Sequence, residues 1–502
     1  MAVVRDPNDR AAKWDATTSY TDSVTLADST LAGDAWLEID GTNVSTALYG
    51  ASGNYAHTVN IEAKSGEIRN LAAGAGNGGS VAGVKLTLDG ADVTGAAYAG
   101  GFGTVTGKTE TLIADGSFTK DFYAGALANY KSTGVQTTVG DIALTVAGGE
   151  FSGNIYGASA VKSSVAGAHA AGDVTLTITD GSTTKGTQSC IFAGGYATGT
   201  AAAATVYTVD SVTATISGGS WGTAAGGRGI FGGIMASGVT AQAGDVNLTV
   251  SGDATMGNIY GGGWAQKNGT SIVGDVDITI AGGTIANVFG GGSHSTSGGT
   301  TETGDVSITV SGGNITGAIY ARGQLEGDIT GVANVIFTGA TDFGCDVFGY
   351  SYVGGAASDA ALSFTGYTGE FSGNIGGFNG ITFDGATAME LTTATADVSN
   401  GAWEFDLTDR ADTLAGTSLL TWSGASFEND TIKVTFADDT QAQGGWNIAA
   451  VAEAFGGTTF EVEIGGTEIA SGLNYSQQIA DGDYAGWGFE LESGVLKFKQ
   501  LA

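Results

Sequence analysis

Apolar and polar residues alternate strictly in one short phrase that the chain repeats. Ile142-Ala-Leu144-Thr-Val146, Val174-Thr-Leu176-Thr-Ile178, Val212-Thr-Ala214-Thr-Ile216, Val246-Asn-Leu248-Thr-Val250, Val276-Asp-Ile278-Thr-Ile280 and Val306-Ser-Ile308-Thr-Val310 all have a period of two. That is the period of a strand with one buried face. The units begin at Gly140, Gly172, Asp210, Gly244, Gly274 and Gly304. A Gly pair or an Asp-Gly follows most phrases, as at Gly148-Gly149, Asp180-Gly181 and Gly282-Gly283, and supplies the positive φ of a sharp corner. A second segment then reads aliphatic, aromatic, Gly. Its aromatics are Tyr49, Tyr98, Tyr123, Tyr156, Phe192, Phe231, Tyr260, Phe289, Tyr320 and Phe348, with Ala72 and Gly376 in the same place in two weaker units. A loose Gly/Ser/Thr/Ala stretch of variable length closes each unit.

A unit of roughly 25–40 residues with two short strands cannot bury its own apolar face, so copies must stack. The pattern predicts an all-β chain: a parallel β-solenoid (right-handed β-helix) of about twelve coils, each giving one strand to two or three parallel sheets. Propeller blades need four strands in about 40–45 residues, and units with two good strands and a loop do not supply them. The repeats occupy 41–400. Residues 1–40 hold Trp14 and Trp36 without the phrase, and are expected to cap the first coil, whose open strand edge would otherwise template aggregation. Residues 401–502 carry four of the eight tryptophans. Segments there such as Ala402–Leu407, Thr431–Phe436, Thr459–Ile464 and Val495–Phe498 alternate like half-exposed antiparallel strands, and Trp446–Phe455 reads as one short helix. This region is expected to be a β-rich cap or small domain.

Composition narrows the class. Of 502 residues 88 are Gly and one is Pro, with no three-residue period, which excludes collagen. A hydrophobic content of 42% that is also periodic argues against disorder. The net charge of −33 argues against nucleic acid and anionic lipid as partners. The two cysteines, Cys190 and Cys345, lie about five coils apart, too far for a bridge at ~4.8 Å per coil, and are expected to be buried thiols. No apolar run is long enough for a transmembrane helix. Met1–Arg10 does not read as a signal peptide, so any export relies on a leader removed upstream or on another route.

Gly-rich β coils leading into a Trp-containing β region, with almost no Cys or Pro, resemble the passenger domains of bacterial autotransporters and similar β-helical surface adhesins. The phrases that carry the resemblance are GDVNLTVSGDATMGNIYGGG (244–263) and WEFDLTDRADTLAGTSLLTW (403–422). It implies an extracellular or cell-surface location and an adhesive or spacer role, with host or neighbouring-cell glycan or protein as partner. A membrane barrel would follow in such a protein, and the chain ends at Ala502 without one. Two alternatives are a self-assembling protein forming filaments or a surface layer, and a polysaccharide-active β-helix enzyme.

The candidate sites follow from columns of equivalent residues. Thr145, Thr177, Thr215, Thr249, Thr279 and Thr309 form an outward hydroxyl column, but its neighbour column is irregular, so no ice-binding array of two ranks exists. Asp141, Asp173, Asp245, Asp275 and Asp305 recur at coil spacing, with Ser211 interrupting. Calcium could bridge carboxylates such as Asp245, Asp275 and Asp305. The simpler expectation is a corner Asp that accepts backbone N–H groups, with no cofactor. The aromatic column is expected to be a buried second packing layer, since an exposed aromatic stripe would be adhesive along its whole length.

The stretches after each aromatic (193–209, 232–243, 261–273, 290–303, 321–330 and 349–360) vary most in length and form the expected binding side. Trp264, Lys267, His294, Arg322 and Tyr350 carry the specific chemistry there. His57, His169 and His294 fall in different coils, Arg228 and Arg322 are the only coil arginines after Arg69, and no catalytic motif is present, so no catalytic residue is assigned.

Overall fold

The computed structural model describes the chain apart from residues 1–10, 16–18, 21–22, 28, 30, 77, 129–136, 163–168, 184–189, 201–204, 224–227, 296–297, 326–328, 354–358, 393–395, 423–426 and 452–454. Side chains of 11–15, 19–20, 205 and 397–401 are also outside the description. The protein is all-β with parallel sheets. It divides into two compact units: residues 1–306 with 323–330, and residues 307–322 with 331–502.

In the first unit the alternating phrases pair in parallel and in step. Ile142 lies opposite Val174, then Val212, Val246 and Val276. The apolar residues of each phrase are buried, for example Ile142, Leu144 and Val146 at 1% exposure or less. A one-residue slip would turn that whole set to solvent, which is why the register is uniform. The glycines after the phrases take positive φ, from 60° at Gly252 to 116° at Gly181. They bend the strand: Ile142–Phe151, Val174–Thr183 and Val276–Ile285 each continue through the bend.

The repeat holds more strands than its sequence suggests. After the aromatic pair, as in Ile155–Tyr156, come a third segment, Ala160–Lys162, and a fourth, His169–Ala171. The third segments build their own parallel six-stranded sheet, with Ala160, Tyr196, Met235, Trp264 and Ser293 in line. The fourth segments pair likewise, Val139 with Ala171, Val209 and Ala243. The loose stretch is therefore two strands and a connection. Third segments of two or three residues and fourth segments of three to five are too short to show a clear period, so the sequence hid them. Length varies in two connections: between the third and fourth segments, from 238–239 in one repeat to 129–136 in another, and between the first and aromatic segments, from 257 alone to 184–190. Strands at Ala11–Asp15 and Ala35–Asp40 extend the ladder of the first segments, the latter pairing with Tyr55–Ala63.

The second unit is also built mainly of parallel strands, but the third-segment sheet lies wholly in the first unit and a different six-stranded sheet, from Glu370–Phe371 to Trp487–Glu492, accompanies the ladder here; its register differs from expectation at 401–464. Val335, Leu362, Ile381, Trp403, Ile432 and Phe460 lie opposite one another in an unbroken parallel series. Alternation reports one buried face and says nothing of strand direction, so the antiparallel reading of these segments fails. Among the described residues, antiparallel pairing begins where Thr467–Asn474 folds back on Thr459–Ile464, and where Val495–Gln500 pairs with Ala449–Val451 on one side and Trp487–Glu492 on the other. The expected helix over 446–455 is also absent among the described residues. Ala449–Val451 is a strand against Leu420–Trp422, and the helix is Asp439–Gln443, capped by Asp438, whose Oδ1 accepts the Gln441 N–H at 2.9 Å. The alanines of 449–450 suit either state, and the sheet position decides. Arg410, 4% exposed, donates to the carbonyls of Gly385, Thr387, Leu414 and Thr417. No helix of the described residues is long and apolar enough to cross a membrane.

Candidate functional site

The aromatic column is a closed internal stack. Tyr98, Tyr123, Tyr156, Phe192, Phe231, Tyr260 and Phe289 follow one another with ring centroids 4.2–5.2 Å apart and planes within 11°. Each is 8% exposed or less. Parallel strands lie ~4.8 Å apart, so in-register aromatics have no choice but to stack. Ile259 and Tyr260 point to opposite faces of their strand, yet both are buried, because the third-segment sheet covers the aromatic side. Tyr196 and Trp264 of that sheet meet Tyr156 and Phe231 at 5.6 and 5.7 Å. The Asn of the NIY phrase serves the stack: Asn154 and Asn258 donate to the hydroxyls of Tyr156 and Tyr260 at 3.0 and 3.1 Å. Burial raises the Tyr156 and Tyr260 hydroxyls above their ordinary pKa.

The Asp column stitches neighbouring repeats. Asp275 N–H donates to Asp245 Oδ1 at 3.0 Å, and Asp305 N–H to Asp275 Oδ1 at 2.9 Å. Asp173 N–H reaches Asp141 at 3.3 Å, and where Ser211 interrupts, its hydroxyl donates to Asp173 at 2.7 Å. The stitch explains the Gly before each Asp. A Cβ on Gly274 or Gly304 would lie 2.4 Å from the carboxylate of the preceding repeat. One oxygen of each of these carboxylates is thereby committed to the backbone. Among the described residues no three His, Cys, Asp or Glu side chains converge as a metal site.

The five sequence candidates divide between the two units, and in the first unit Trp264 and His294 lie on paired strands. Trp264 is 6% exposed, with the Arg228 guanidinium 3.7 Å from its ring centroid. Its role is to close the aromatic stack, and Arg228 covers it. Lys267 is exposed at the tight connection between third and fourth segments, where it and Asn268 hold φ of 53° and 60°. His294 is half-buried, its Nδ1 3.2 Å from the Ser295 carbonyl. Those three belong to the first unit.

Arg322 and Tyr350 belong to the second and are half-buried. Phe348 pairs with Gly376, so the aromatic series skips a place. Tyr350 fills it, stacked on Phe348 at 5.0 Å and so close over Gly377 that a Cβ there would meet its ring at 2.4 Å. The exposed ring is Tyr352, at 57%, edge-on to Tyr320 at 5.3 Å, with Val332 and Val353 also exposed at 48% each. No periodic signal marks Tyr352; only the missing aromatic at Gly376 hints that the pattern is disturbed there. Parts of the variable stretches (201–204, 296–297, 326–328 and 354–358) lie outside the described residues. Cys190 and Cys345 are buried free thiols, each pushed up to about 12 by burial.

Comparison of the chain with family models, with curated proteins and with solved structures returned no match.

Proposed function

We propose that the chain is a non-enzymatic adhesin or structural spacer of an extracellular or bacterial cell surface, built as a right-handed parallel β-solenoid of the kind found in autotransporter passenger domains. Its two units together would hold about twelve coils, and binding would use the connections of variable length. The observation that carries this reading is the division of labour within the repeat. The Asp and aromatic columns hold repeats together, whereas length changes fall in two connections, the one between third and fourth segments and the one between the first and aromatic segments. A scaffold that keeps its register while its connections vary suits recognition by those connections. The exposed Tyr352, Val332 and Val353 of the second unit add an apolar surface of the sort that partners cover. In the same unit the Thr467–Asn474 strand folds back antiparallel on the last parallel strand, which opposes growth of a filament from that edge.

The test is binding of the full chain to glycan and cell-surface panels, alongside a variant with the 129–136 and 163–168 connections shortened to two residues. Loss of binding with unchanged thermal unfolding supports the proposal. Concentration-dependent filaments in electron micrographs, or turnover of a polysaccharide abolished in Arg228→Gln or Arg322→Gln, would replace it with the structural or the enzymatic reading.

A further inference from the structure

The first unit carries a polar groove that none of the repeat columns explains. It has a volume of ≈660 Å³ and is lined by Asn43, Glu67, Arg69, Asn70, Thr94 and Lys120, among others. The register shows how it arises. At the corner between the bent first segment and the aromatic segment, Val44, Ile68, Val93 and Phe118 are aligned on one side. Leu48, Leu71, Ala97 and Phe122 are aligned on the other. Three residues span the corner at 45–47, 94–96 and 119–121, but only two, Arg69 and Asn70, span it in the repeat between the first two of these. A corner one residue short, between longer neighbours, is a notch. Its wall is tight: a Cβ on Gly95 would lie 1.9 Å from the Arg69 carbonyl oxygen and 2.3 Å from Asn70 Oδ1.

The groove's charge runs against the rest of the chain. Arg69 and Lys120 are both exposed, and neither has an ion-pair partner among the described residues, unlike nearby Lys64 and Lys108. The groove's carboxylate and amides are already directed. Glu67 accepts from the Thr94 hydroxyl at 3.2 Å, Asn43 Oδ1 accepts the Glu67 N–H at 2.8 Å, and Asn70 Nδ2 donates to the Thr46 carbonyl at 3.0 Å. Two cations two repeats apart, with the Thr94 hydroxyl on the repeat between them and the Asn43 amide on the repeat before Arg69, suit a ligand bearing both a carboxylate and hydroxyls. In a chain of net charge −33 a polyanion is repelled at long range. At 0.15 M salt that field fades beyond about 8 Å, while contact with Arg69 and Lys120 does not.

We infer that this notch is a binding site for a uronate-bearing oligosaccharide, the carboxylate held by Arg69 and Lys120 and the ring hydroxyls by Asn43 and Thr94. The site uses the corner at 69–70 and not the 129–136 and 163–168 connections altered in the test above, so the two readings can fail separately. The full chain is titrated by calorimetry at 0.15 M salt with trigalacturonate, with maltotriose and with inorganic phosphate. Trigalacturonate is expected to bind and maltotriose not to. Arg69→Gln with Lys120→Gln is expected to lower affinity at least tenfold with an unchanged melting temperature, and Lys108→Gln to leave it alone. Insertion of one Gly between Arg69 and Asn70, which fills the notch without touching its charges, is expected to abolish binding. Equal binding by wild type and the double variant, no binding of trigalacturonate, or binding of phosphate as tight as the sugar's would each overturn the inference.

Discussion

Phe231→Ala puts the central claim about the fold under the most direct strain. The ring is fully buried, stacked at 5.1 Å on Phe192 and 4.2 Å on Tyr260, with Trp264 edge-on at 5.7 Å. Truncating a buried Phe to Ala costs about 3–5 kcal/mol, the higher values applying where the site cannot collapse. Collapse is hindered here because Ile191, Ile230 and Ile259 hold the backbones of three successive repeats in register, so the expected cost is near 4–5 kcal/mol. Phe231→Leu keeps most of the volume and loses the three ring pairs, at about 0.5–1.5 kcal/mol each, for a total of about 1.5–4.5 kcal/mol. Repeat arrays couple mainly through nearest neighbours, so the loss should be local. Hydrogen exchange read by mass spectrometry should show faster exchange over 191–192, 230–231 and 259–260, with 59–63 and 84–88 nearly unchanged. Urea unfolding gives the magnitude. A cost below about 1 kcal/mol, or an acceleration spread evenly through the first unit, would refute the claim that in-register stacking of this column holds the repeats together.

The Asp stitch gives a paired prediction. Asp275→Ala should cost about 1 kcal/mol by thermal unfolding, Gly304→Ala more, and the double mutant less than their sum, because the carboxylate that the new methyl strikes is gone. Added calcium should leave the melting temperature unchanged. His169 is held neutral by burial, its pKa lowered to about 4, and its Nδ1 accepts the Thr137 N–H at 3.3 Å. The unfolded chain takes up this proton near pH 6.5 and the folded chain only near 4, so this group's stabilisation is complete above 6.5 and is lost as pH falls towards 4. Urea midpoints at pH 7 and 4.5 should therefore differ less in His169→Asn than in wild type. In the second unit, Arg410→Met removes the guanidinium from the Gly385, Thr387 and Thr417 carbonyls, while Leu414 keeps the Thr417 N–H; each oxygen costs about 1–3 kcal/mol where it is left unpaired. Exchange should rise around 385–387 and 414–417, and the melting temperature should fall.

Alternation in the phrases was enough to specify strands with one buried face, and their spacing was enough to require stacked copies. The aromatic column's burial, the positive φ of the glycines and the two unbridged thiols could also be read from the chain, because each depends only on local periodicity or on the distance between copies. Other features depended on which backbone lies alongside which. The third and fourth segments are strands only because equivalent residues of the next repeat pair with them. Thr431–Phe436 is parallel because Trp403 and Phe460 flank Ile432, a choice alternation cannot express. Trp264 looked like a surface residue in a Gly-rich stretch until Phe231 and Arg228 enclosed it, and Tyr352 is exposed because Tyr350 took the vacant place over Gly377. The notch at Arg69 is one missing residue, visible only once both flanks of the corner are held in register. A sequence states which side of a strand avoids water, but the identity of what covers it is a non-local free-energy choice made when the repeats dock.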